Sequence, residues 1–139
     1  MALPNDPLFS EQWYLRNAAP DQYDLNVVDV WDDYTGAGIT IAVIDDGVEA
    51  SHPDLAGNYS TTKDYDLQNG SESIQLGPES APGSGNGDFH GTSAAGIIGA
   101  VGNNSTGVVG VAYGSTLFGI KLGQEIADPI KLVSGQLSI

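Results

Sequence analysis

The run Ile39-Thr40-Ile41-Ala42-Val43-Ile44, stopped abruptly by Asp45-Asp46-Gly47, constrains the fold more than any other segment of this chain. β-Branched residues are stiff and pack well on a pleated surface, so the run reads as a strand from Gly38 to Ile44. Its near-continuous apolarity, without the alternation of a half-exposed strand, predicts a parallel strand buried on both faces. A second signal follows His90, where Ala94, Ala95, Gly96, Gly99 and Ala100 form a run of small residues. The spacing predicts a helix that packs very closely against its neighbours. Glycines in that helix cost about 1 kcal/mol each, so tertiary contacts must hold it. Val108–Ala112 and Ser115–Leu122 then read as short strands around a turn at Tyr113-Gly114. Strand, helix, strand implies an α/β fold with a parallel sheet and right-handed crossovers.

Elsewhere the pattern is weaker. Apolar residues at helical spacing predict a short helix over 8–15 and a second over 25–34. The second would carry Val27, Val28, Trp31 and Tyr34 on one side and end at Gly36 and Gly38. Residues 56–89 are rich in Gly, Ser, Asn and Pro and read as loop. Asp128-Pro129 could open a helix, with Asp as cap and Pro at its first position, but Gly135 would stop it early.

The chain has 139 residues, enough for one domain, and 40% of them are apolar, enough for a core. Four basic residues face eighteen acidic ones, a net charge of −14. Such a surface argues against nucleic acid or an anionic membrane as partner. It favours Ca²⁺ or basic peptides, although acidic surfaces also serve solubility alone. Without cysteine there is no disulfide or thiol chemistry, and redox logic says nothing about compartment. No apolar run approaches the roughly 20 residues of a membrane helix. The opening Met1–Asp6 lacks the features of a secretory signal, which leaves a cytoplasmic protein or one whose leader has been removed.

Asp45 lies where the predicted strand ends, the edge at which open α/β sheets place their sites. Taken alone it is an ordinary turn residue, and His90 alone is an ordinary helix-start residue. Together they describe a carboxylate that fixes an imidazole tautomer and stabilises the imidazolium. That pair prepares a base for a hydroxyl nucleophile.

Val43-Ile44-Asp45-Asp46-Gly47 with His52-Pro53-Asp54-Leu55 resembles the catalytic-aspartate block of the subtilisin-like serine proteases, the subtilases. His90-Gly91-Thr92-Ser93-Ala94-Ala95-Gly96-Ile97-Ile98 resembles their histidine block, and Asp before His is the subtilisin order. The doubled Asp45-Asp46, the opening Asp6–Leu15, and Asn103-Asn104 followed by Val109–Tyr113 resemble the kexin/furin branch, the proprotein convertases. The likeness runs from about residue 6 to residue 122, with 123–139 as a divergent tail. It implies a three-layer subtilisin-like α/β fold, here the N-terminal part of a catalytic domain and so incomplete. It implies Asp45 as the orienting acid and His90 as the general base. It implies a calcium site from the carboxylates of Asp6 and Asp54, the side-chain oxygen of Asn104, and the backbone carbonyls of Val101, Thr106 and Val108. Ca²⁺ takes six to eight oxygens, many of them carbonyls, which suits that set. Asp46 and Asp88 would lie on the substrate side, near basic residues flanking the scissile bond. Ser71 and Ser73, following Asp66, stand where some relatives place acids for a further calcium, and that site is not expected here. A secretory or extracellular location is implied for the full-length protein.

The third member of a triad is not found. The family's nucleophile lies in a Gly-Thr-Ser block ending in Pro, well beyond the histidine. Gly91-Thr92-Ser93 lacks that Pro and sits on the histidine's own helix. Ser134 and Ser138 lie in no recognisable block, and the oxyanion-hole Asn is unassigned. Loss of such an Asn costs about 10²–10³ in rate, and loss of the nucleophile around 10⁶. The resemblance therefore implies a calcium-stabilised serine endopeptidase, of which this chain is a fragment that cuts nothing alone and requires its missing C-terminal part. The alternative is a non-catalytic calcium-binding or interaction module that keeps a protease-like half-fold. An unrelated α/β hydrolase-like fold using another metal is weaker, because two histidines and no cysteine make a zinc site improbable.

Overall fold

A computed structural model of the chain describes residues 3–17, 19, 22–67, 71, 72 and 90–122. Asp88, Ser73, Ser134, Ser138 and the tail 123–139 lie outside them, as does the backbone around Asp128-Pro129. The described elements, in order, are a 3₁₀ turn at Phe9–Glu11, β1 at Thr40–Asp45 and a 3₁₀ turn at Thr61–Lys63. Then come β2 at Tyr65–Asp66, β3 at Ser71–Glu72, α1 at His90–Gly99 and β4 at Thr116–Lys121.

β4 is the centre of the sheet. It pairs in parallel with β1, from Thr40 opposite Thr116 to Asp45 opposite Lys121, and in parallel with β2 on its other side. β3 is antiparallel to β2, giving the order β1-β4-β2-β3. α1 lies between β1 and β4 in sequence and packs over both. The expected α/β layering is present, with sheet and helix as two of its layers among the described residues.

The small-residue helix does what its composition demands. Ala95 and Ala100 are fully buried with Val43, Val48, Leu55 and Leu117 in one core cluster. At Gly99 an added Cβ would press on Leu117 and on the Ser115 hydroxyl, so glycine here sets the distance from helix to sheet. A second cluster gathers Phe9, Leu15, Trp31 and Val109.

Four expectations fail for identifiable reasons. The helix predicted over 8–15 does not form beyond the turn Phe9–Glu11. Phe9, Gln12 and Leu15 are the buried residues and Trp13 is exposed, a spacing of three that belongs to turns closed by i−3 hydrogen bonds. Gln12 N–H and Leu15 N–H donate to Phe9 O and Gln12 O in that pattern. Residues 25–34 also form turns rather than a helix. Trp31 is buried and its indole N–H donates to Val111 O at 2.8 Å, whereas Tyr34 points to solvent.

Val108–Ala112 is not a strand. Its N–H groups are taken by the end of α1: Gly110, Val111 and Ala112 donate to the carbonyls of Ala100, Ile97 and Ile98. Those are carbonyls a helix terminus leaves open. Val109 instead pairs with the Gln12 amide, donating to Oε1 and accepting from Nε2, both at 2.9 Å. The segment is apolar because it is core, not because it belongs to a ladder. β1 departs in a further way: Val43 is buried but Ile44 is 56% exposed, so one face of the strand is open among the described residues.

Candidate functional site

β1 delivers Asp45 to its carboxyl end, and α1 begins at His90. The two meet there, with His90 Nδ1 2.8 Å from Asp45 Oδ2. The other Asp45 oxygen accepts the backbone N–H of Asp46 at 2.7 Å. Partial burial pushes the Asp45 carboxyl up. The Asp46 N–H and then the His90 ring outweigh it and hold the group below the usual carboxylate range. Asp45 is therefore ionised at neutral pH and can only accept. The His90 Nδ1 must then carry the proton, which leaves Nε2 with a lone pair. The hydrogen bond to Asp45, and next its charge, raise the His90 pKa above the ordinary imidazole value. Its side chain is 81% exposed, so Nε2 is open to whatever approaches.

The turn after β1 is fastened to the start of α1. Asp46 Oδ1 accepts the Gly91 N–H at 2.7 Å and Oδ2 the His90 N–H at 3.1 Å. Thr92 Oγ1 accepts the Glu49 N–H at 3.0 Å. Any Cβ at Gly91 would collide with the Gly47 carbonyl and press on Asp45 and Asp46, so the approach requires glycine. Asp46, expected on the substrate side, thus has both oxygens engaged with α1. The Thr92 contribution was not foreseen, since a hydroxyl in a helix's first turn carries no signal of a partner 43 residues away.

Ser93 is exposed. With His52, Thr92, Gly96 and Ile97 it lines a cavity of about 300 Å³ whose lining does not include His90. No hydrogen bond joins Ser93 to His90 among the described residues.

The six residues expected at a cation converge on the 101–108 loop. Asp6 is 4% exposed and Asp54 2% exposed. Asp6 accepts the N–H groups of Asn103 at 2.8 Å and Asn104 at 3.4 Å. Asp54 accepts Asn104 Nδ2 at 2.9 Å and the Val108 N–H at 2.8 Å, and its own carbonyl accepts the Val101 N–H. The Asn104 amide oxygen accepts the Thr106 N–H at 2.8 Å. The carbonyls of Val101, Thr106 and Val108 accept no hydrogen bond from a described residue. Two buried carboxylates, an amide and three open carbonyls form a donor set suited to a hard cation such as Ca²⁺. To ligate, Asn104 would have to turn its oxygen, rather than Nδ2, toward Asp54. No group of three His, Cys, Asp or Glu side chains gathers for a metal among the described residues, so carbonyls would have to supply much of the shell.

The loop holds its shape by left-handed backbone at Asn103, Ser105 and Gly107. At Gly107 an added Cβ would run into the Asp54 carboxylate. Asn5 Oδ1 ties the loop back by accepting the Ser105 N–H at 3.0 Å. The cluster Gly102–Gly107 signals left-handed positions, but the Asn5 contact spans 100 residues and leaves no local trace.

The Subtilase family model, peptidase S8, matches residues 36–132, reaching beyond Leu122 into the tail. The mouse "Proprotein convertase subtilisin/kexin type 7" is 45% identical over 132 residues, 94% of this chain. Human furin is 40% identical over 130 residues, 92% of this chain. The chain spans only 17% of that convertase and 16% of that furin. Among solved structures, a protease of Pseudoalteromonas arctica superposes with a TM-score of 0.70 at 32% identity, covering 87% of this chain and 39% of the protease. The serine protease of Aeromonas sobria, in complex with a chaperone, gives 0.70 at 30% identity, covering 99% of this chain and 24% of the protease. The α/β fold is thus an incomplete subtilisin-like one, and the chain belongs to the subtilase family, with its similarity to the convertases and furin placing it on the kexin-like side.

Proposed function

We propose that these residues carry the acid and base of a calcium-stabilised serine endopeptidase, with the nucleophile and the oxyanion-hole Asn contributed from outside residues 1–139. The observation that carries this reading is the 2.8 Å contact between His90 Nδ1 and an ionised Asp45 on an otherwise exposed ring. In that role Nε2 takes the proton of an attacking hydroxyl and later gives it to the leaving amine. Asp45 holds the tautomer and stabilises the imidazolium without becoming protonated.

Peptide or protein is the substrate class, and the net charge of −14 supports a preference for basic sequences. Asp88 is the acid assigned to that preference. Asp46 is the weaker of the two, because its carboxylate is already engaged by two N–H groups. Asp6, Asp54, Asn104 and the carbonyls of Val101, Thr106 and Val108 would hold Ca²⁺, whose bound charge would neutralise two buried carboxylates. A secretory or extracellular location fits the same reading.

The test is labelling of a polypeptide extended past Ile139 with a fluorophosphonate serine probe. Labelling that is lost in His90→Ala is expected. No labelling of the extended protein, with Ca²⁺ present, would contradict the protease reading. It would favour the non-catalytic calcium-binding module, a reading supported by the same buried carboxylates.

A further inference from the structure

We infer that Asp46 is a positioning residue that preassembles the Asp45–His90 pair by acting through the helix N-terminus. The inference rests on reading that pair as acid and base. Asp46 touches both partners by different atoms. Its backbone N–H donates to Asp45 Oδ1 at 2.7 Å, which fixes the carboxylate's rotation and turns Oδ2 toward the imidazole. Its side chain accepts the N–H groups of His90 and Gly91, the first two residues of α1.

These are donors that a helix start leaves unpaired, and they carry the positive end of the helix dipole. No acidic side chain of α1 itself lies in its first turn, so the cap comes from the neighbouring turn. One residue thus sets the Asp45 side chain and the His90 backbone in a single frame, and the 2.8 Å imidazole contact closes it. Thr92 Oγ1 on Glu49 N–H, one turn deeper, keeps the same two segments in register. Each oxygen of this carboxylate holds one N–H of the helix start, so its loss would disturb the geometry of the pair before any peptide binds.

The groups facing His90 bear on the test. Asp45 and Asp46 are the charged neighbours that act on its ring. The backbone amide signals of the core around Val43 and Leu117 report whether each variant keeps the fold. The experiment is an NMR titration of the His90 imidazole in the 139-residue chain, for the wild type, Asp46→Asn and Asp46→Ala. Asparagine keeps an acceptor for the helix N–H groups and removes the charge, and alanine removes both.

If Asp46 positions the pair, His90 in Asp46→Ala falls toward the ordinary imidazole range and its Nδ1 proton exchanges faster. In Asp46→Asn it stays close to wild type, while the core amide signals are alike in all three. Equal His90 behaviour in the asparagine and alanine variants would overturn the inference, because charge alone, or nothing, would then be acting. Should alanine disturb the core amide signals as well, Asp46→Ser, a shorter cap, takes its place, and a Ser variant indistinguishable from Asn in His90 titration and Nδ1 exchange supports positioning, whereas one that loses the raised titration with the core signals intact contradicts it. The titration needs no substrate, so a failure of the protease reading leaves its outcome unaffected. In an active extended enzyme the same inference predicts that Asp46→Ala lowers kcat with KM little changed, whereas a substrate contact would raise KM in both variants.

Discussion

The Asp45–His90 pair and the 101–108 loop are both built from carboxylates that accept backbone N–H groups, but they sit in opposite surroundings. Asp45 meets an imidazole that is 81% exposed, whereas Asp6 and Asp54 are 4% and 2% exposed and meet only uncharged donors among the described residues. Exposure decides what each carboxylate does. At the surface, solvent screens the charge pair, so its value lies in fixing a tautomer rather than in stability. In the interior, each carboxylate is a hub whose loss strands the donors around it. The first region can be altered with the fold intact, and the second cannot.

The sharpest break between the two is therefore kinetic on one side and thermodynamic on the other. In an extended, active polypeptide, His90→Ala should cost around 10⁶ in kcat while leaving melting nearly unchanged, as expected for an exposed side chain. Asp54→Ala should do the reverse. It leaves Asn104 Nδ2 and the Val108 N–H without their acceptor. An unmet buried donor costs about 1–3 kcal/mol, and these two are only partly buried, so a loss of about 2 kcal/mol in urea unfolding is expected. A variant that melts like wild type would remove Asp54 from the framework of the fold.

Calcium sharpens the same contrast. If the loop binds Ca²⁺, the ion at about 100 times its dissociation constant stabilises the chain by about 2.7 kcal/mol. EDTA should reverse the shift, and Asp54→Asn should weaken it. His90→Ala should leave it untouched. No shift at millimolar Ca²⁺ would discard the calcium assignment and leave the loop as a hydrogen-bonded turn.

The two regions also differed in how far they could be read from residues alone. Asp45 and His90 announce themselves because each sits at the junction of an element with a strong local pattern, a β-branched run and a small-residue helix. The pairing of β1 with β4 follows from the same two patterns. Val108–Ala112 was misread as a strand because an apolar run shows burial but not its partners. Those partners are the carbonyls at the end of α1 and the side chain of Gln12, 97 residues away from Val109. The apolar residues of 8–15 misled in a related way, since over so short a stretch they mimic helical spacing, whereas the buried positions are Phe9, Gln12 and Leu15. Burial of β1 on both faces was also expected, and Ile44 contradicts it. The strand's composition reflects what covers a sheet, and α1 covers one face of it among the described residues.

The smallest expected effect is the most direct test. His90 has a raised pKa in the folded chain, so its contribution to stability is present below the ordinary value of 6.5 and is lost as pH rises through the folded value. Asp45 has a lowered one, so its contribution is present above the ordinary 3.8 and is lost as pH falls through the folded value. Between those two ordinary values both groups are charged and the pair is complete. An NMR titration of His90 in wild type and in Asp45→Asn reads that pair without any substrate or nucleophile. The preassembled acid–base pair predicts a His90 that titrates above the ordinary imidazole value, keeps a slowly exchanging Nδ1 proton, and loses both features in Asp45→Asn. A His90 that titrates at or below that value, and is indifferent to Asp45→Asn, would contradict it.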